Sequence, residues 1–242
     1  MDNKAHYIIF HPDRARQKAV VSGVVLRNEE AIEGWQGYVW VDCIGRGNED
    51  PFVFTDPWLY SYCHASQLRK SSGWPVYLKA ESHLVFVSGD QANLNKLCID
   101  TVFVIENVLN WNKPLGLPSK YQYTYKVENN PLWSRHFRFP FEGVHEKVSK
   151  TYEAAMWRDG HAKFAYLPVV AATGERVSIE LDDLDVMLAK KIRRNIKGKY
   201  PVLLSGSDVE AILKEITKDS VLKVVEIKNC QPVQLGLASQ LC

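Results

Sequence analysis

The chain lacks any run of about 18 consecutive apolar residues, the length that carries a helix across a bilayer. Its first residues, Met1 to His6, lack the apolar stretch of a secretory leader. Cysteine is scarce: Cys43, Cys63, Cys98, Cys230 and Cys242 are scattered and form no Cys-x-x-Cys pair. That excludes a zinc ribbon and a dithiol redox motif. The expectation is a cytoplasmic protein with reduced thiols and no membrane partner. Neither charge dominates, with 30 Lys+Arg against 28 Asp+Glu and a net charge of +2. Any affinity for a polyanion must therefore come from a local patch. No phosphate-binding loop, dinucleotide fingerprint, Gly-x-Ser-x-Gly elbow or spaced histidine pair is present. No cofactor, metal or catalytic residue is expected from such motifs.

What is present is a core. Hydrophobic residues make up 46% of 242 residues, enough for one large domain or one domain with an appendage. Residues 1–142 are rich in strand signals and aromatics. Residues 143–242 alternate helix and strand, as a second region or as part of the same domain.

In the first region, His6 to Phe10, Ala19 to Leu26 and Gly37 to Ile44 read as strands, with a polar turn from Asn28 to Gly34. Asp56-Pro57 reads as a helix start, with Trp58 and Tyr62 on its buried face. Leu84 to Ser88 and Leu97 to Glu106 read as a hairpin of two buried strands.

In the second region, His145 to Arg158 reads as a helix closed by Asp159-Gly160. Lys163 to Val170 and Arg176 to Leu181 read as a hairpin around Thr173-Gly174. A helix beginning at Asp182 and Asp183 ends at Lys197-Gly198. Tyr200 to Leu204 is a short strand, and Ser207 with Glu210 reads as a capping box opening another helix. Val221 to Lys228 is a last strand.

The stretch from Ser82 to Ile105, with its apolar runs around Gly89-Asp90 and its Cys98-Ile99-Asp100-Thr101, resembles the central strands of PUA-like barrels. That group includes the EVE, ASCH and nucleotide-modification-associated domains. The resemblance spans about residues 6–112. It departs at Glu81-Ser82, where the family has Gly-Asp. The order of elements reads as α+β, and the resemblance implies a strand-rich, partly closed mixed β-barrel with an α+β C-terminal extension. It also implies a cup that accepts a modified or flipped base by stacking and by polar contact with the base edge. The cup residues it implies are Trp58, His64, Trp74 and Asp100. The plain alternatives are a core role for the rings and a solvent-facing Asp100.

Two basic stretches suit phosphates. Trp133 to Phe141 interleaves rings with Arg135, His136 and Arg138, near the Tyr121, Tyr123, Tyr125 series. Residues 190–199 include Lys190, Lys191, Arg193 and Arg194. The same helix begins with Asp182, Asp183 and Asp185, so its charge order also matches the helix macrodipole.

Glu226-Ile227-Lys228 at a strand end resembles half of a PD-(D/E)xK nuclease site. In that family carboxylates hold a divalent metal and lysine positions water. The acidic partner upstream would be Asp208 or Asp219, neither well placed. The leading expectation is a nucleic-acid or nucleotide binding module. The alternatives are that metal-dependent nuclease and a protein-interaction module without catalysis.

Overall fold

The computed structural model describes residues 4–12, 16–42, 51, 53, 58–61, 78–110, 150–171, 173–198, 200–217 and 221–232. Strands β1 (His6–Pro12), β2 (Arg16–Arg27), β3 (Glu30–Asp42), β4 (Leu59–Ser61), β5 (His83–Gly89) and β6 (Lys96–Asn110) come first. Then follow β7 (Lys150–Ala154), β8 (Leu167–Val170), β9 (Ser178–Glu180) and helix α1 (Val186–Lys197). Strand β10 (Val202–Leu204), helix α2 (Gly206–Ile216) and strand β11 (Val221–Pro232) complete the described order.

The described strands form two sheets. One runs β10-β1-β5-β6-β7-β4, with β9 also on β6; the other runs β3-β2-β11-β8. Strands β1 and β5 are parallel, and β5 and β6 form the expected antiparallel pair. The α+β class holds, and the described strands do not close into a barrel. Strands from before and after residue 142 share both sheets: β10 pairs β1, and β11 lies between β2 and β8. No described helix is long and apolar enough to cross a membrane.

The large sheet is buried on both faces, so β5 reads as a continuous apolar run. Tyr7, Ile9, Leu84, Phe86, Phe103 and Tyr152 pack toward Val21, Val25, Val39, Leu167 and Val224 of the small sheet. On the opposite face Ile8, Val85, Val87, Ile99, Val102 and Val104 pack with Leu188, Ile192, Ile196, Val209, Ile212 and Ile216 of the helices.

Strand β6 keeps its apolar residues on the right faces only because it carries two bulges. Phe86 pairs Thr101 and Val87 pairs Ile99, which leaves Asp100 as the extra residue. Ile105 pairs Ala154 and Asn107 pairs Glu153, which leaves Glu106 as the second. A bulge re-aims its extra side chain. Here both re-aimed side chains are carboxylates.

Three local expectations are corrected. Lys150–Ala154 is a strand, where a helix over His145 to Arg158 was expected. Pairing to β6 and β4 outweighs the local helical pattern; among the described residues of that span only the turn Trp157–Asp159 is helical, and residues 145–149 lie outside them. Leu59–Ser61 is likewise a strand on β7, not the first turn of a helix after Asp56-Pro57. The hairpin expected around Gly174 is split: β8 joins the small sheet and β9 the large one, linked by a Val169–Arg176 bridge and by the Gly174 amide donating to the Val170 carbonyl.

The cap of α2 is also two residues earlier than expected. Ser205 accepts from the Asp208 amide, and the Asp208 carboxylate accepts from the Ser205 amide. Asp185 caps α1 by accepting from the Met187 and Leu188 amides.

Candidate functional site

Helix α1 is amphipathic. Leu188, Ala189, Ile192 and Ile196 are buried against the large sheet. That fixes Met187, Lys190, Lys191, Arg194 and Asn195 on its outer side. After the helix the chain turns back, with the Tyr200 amide donating to the Asn195 carbonyl at 2.9 Å. The Tyr200 ring lies over Gly198, where an added Cβ would sit 2.8 Å from Tyr200 Cδ2. A side chain at position 198 would push the exposed Tyr200 ring aside.

The result is a surface hollow of about 660 Å³ lined by Met187, Lys190, Lys191, Arg194, Asn195, Gly198 and Tyr200. Tyr200 remains 65% exposed and Met187 71% exposed, although both are large. An exposed tyrosine face beside cations is the combination that binds a stacked base and its phosphates.

The four cations expected from the sequence divide into two roles. Lys191 bridges to Asp208 at 3.0 Å, tying α1 to the cap of α2. Burial pushes the Asp208 carboxyl up, but the Ser205 amide and then the Lys191 ammonium hold it below its ordinary range. Arg193 pairs with Asp182 at 2.6 Å and donates to the Leu94 carbonyl at 3.3 Å, which ties α1 to the loop before β6. These two stabilise the fold. Lys190 and Arg194 are exposed on successive turns and make no ion pair with the described residues. They are the cations available to a ligand.

The expected base cup is not assembled by the described residues. Trp58 is 2% exposed and belongs to the core between the sheets. Asp100 does not face solvent; its side chain is fully buried and pairs with Arg176 at 3.0 Å. The same guanidinium contacts the Ser88 hydroxyl and stacks over Trp40, 5.3 Å from the ring centroid. His64, Trp74, Arg135 and Arg138 lie outside the described residues.

The nuclease half-motif does not gather ligands among the described residues. Glu226 belongs to no metal-capable group there, Lys228 pairs with Glu33 at 3.4 Å, and Asp208 is committed to its cap. Tyr200 is the site residue that the sequence pattern hid. It reads as the first apolar residue of a strand, whereas the strand begins at Val202. Comparison with family models, with curated proteins and with solved structures finds no match for this chain.

Proposed function

We propose that the protein is a nucleic-acid or nucleotide binding module whose contact surface is the outer side of α1 and the turn to Tyr200. The observation that carries this reading is the exposed Tyr200 ring beside Lys190 and Arg194 in one hollow. The two cations neutralise neighbouring phosphates, and the ring stacks on an unpaired base. On this reading the stacking platform is Tyr200 rather than Trp58. The resemblance of β5 and β6 to PUA-like barrels belongs to the same proposal, as does the reading of a modified or flipped base.

The test is binding of labelled single- and double-stranded DNA and RNA over a salt series in EDTA. Affinity that falls steeply with salt supports the proposal. Absence of binding to every strand at low salt overturns it. In that case a protein-interaction role gains ground, favoured by the exposed Val20, Ile32 and Tyr38 on the β2–β3 hairpin.

A further inference from the structure

Away from the hollow, Glu106, Asp159 and His161 converge on one point. Their ligand atoms all lie within 4.8 Å of one another, the one such metal-capable group among the described residues. We propose that they form an open site for a first-row divalent cation such as Zn²⁺ or Mn²⁺.

Two pieces of backbone geometry, the second bulge of β6 and one capped turn, bring the group together. Glu106 is the second bulge residue of β6, skipped by the ladder to β7. Asp159 ends the short helical turn Trp157–Asp159. Gly160, at φ +75°, takes the left-handed conformation that closes the turn and sets His161 beside Glu106. His161 Nε2 and Glu106 Oε1 stand 3.4 Å apart. Ligand atoms about 2.0–2.1 Å from a tetrahedral zinc are about 3.3–3.4 Å from each other. That edge of the coordination polyhedron already exists.

The donor set selects the ion. The imidazole nitrogen favours Zn²⁺ over Ca²⁺ and Mg²⁺, which take all-oxygen shells, and the two carboxylates also suit Mn²⁺. No thiolate belongs to the group, which argues against Cu(I). Two carboxylates match the charge of a divalent ion. The side chains of His161 and Glu106 are about one-third exposed, so coordination positions remain for water or for a ligand oxygen.

The test is calorimetric titration of the EDTA-stripped, dialysed full chain with Zn²⁺ and separately with Mn²⁺. It is repeated on Glu106→Gln, Asp159→Asn and His161→Ala, each checked for native circular dichroism. One equivalent should bind, with affinity at least tenfold weaker in each variant. The Co²⁺ form should show a d–d spectrum without thiolate charge transfer, which separates this site from adventitious binding at cysteines. Broadening of the His161 ring resonances by substoichiometric Mn²⁺ places the ion directly. No saturable binding of either ion, or affinities unchanged in all three folded variants, would overturn the proposal.

Discussion

Asp100 and Arg176 meet at 3.0 Å across 76 residues of chain, joining the first bulge of β6 to the segment that passes from the small sheet to the large one. The carboxylate side chain is fully buried and the guanidinium is 15% exposed. Removing either partner takes from the other its oppositely charged hydrogen-bond partner in a buried setting. Asp100→Ala and Arg176→Ala are each expected to destabilise by about 3–5 kcal/mol. The double variant Asp100→Leu/Arg176→Met should recover much of that loss. Urea unfolding of the two singles and the double measures the coupling. Additive losses would show that the pair has no such role.

A second prediction concerns acid. His83 is 6% exposed, and burial, then the neighbouring His6, then Lys163, push its pKa down to about 4. The Glu81 carbonyl and carboxylate oppose the shift. Its backbone amide donates to His6 Nδ1 at 3.0 Å, which needs that nitrogen deprotonated. The unfolded chain takes up the His83 proton near pH 6.5 and the folded chain only near 4. Folding stability is therefore flat from this source above about pH 6.5. It falls as pH drops toward 4, by on the order of 3 kcal/mol, and no further below that. Urea midpoints at intervals between pH 7 and pH 4 should follow this slope, and His83→Gln should flatten it.

At the β2–β11 contact the backbones pass closely enough that a Cβ on Gly23 would overlap the Glu226 carbonyl oxygen. Strand β11 carries an extra residue on either side of this contact, Val225 and Lys228, in its ladder with β2. Gly23→Ala should cost about 1–3 kcal/mol, because the backbones must separate at the bulge. An unchanged thermal midpoint would mean that the bulge can slide.

The capping box gives a smaller and more local effect. Ser205→Ala removes the acceptor for the Asp208 amide and should cost about 1 kcal/mol. Ser205→Asn should restore most of it. Both follow from thermal unfolding of the purified variants.

These cases show what the sequence could convey. Runs such as Leu84–Ser88 and Leu97–Glu106 announce strands because β-branched and apolar residues suit a sheet buried on both faces. Their pairing partners are not announced, since Lys150–Ala154 becomes a strand only through its contacts with β6 and β4. Asp100 stands out in an apolar run, but its burial depends on a one-residue bulge and on an arginine 76 positions away. Neither leaves a local mark. The basic run of α1 is legible from Lys190 to Lys197. Which of its cations are tied down is not legible, because Asp182, Leu94 and Asp208 reach it only in the folded chain.

Lys190 and Arg194, with Tyr200, are the residues proposed to hold nucleic-acid phosphates and a base. The most direct measurement compares salt dependence of single-strand binding for the native chain and for Lys190→Glu/Arg194→Glu. Lys96→Glu, an exposed cation paired only loosely with Glu180 at 3.8 Å, serves as the control. The double variant should keep its fold, lose at least tenfold in affinity at low salt, and show a salt slope shallower by about 1.4. The control should bind as the native chain does. A folded double variant with unchanged affinity and slope would show that Lys190 and Arg194 hold no phosphates.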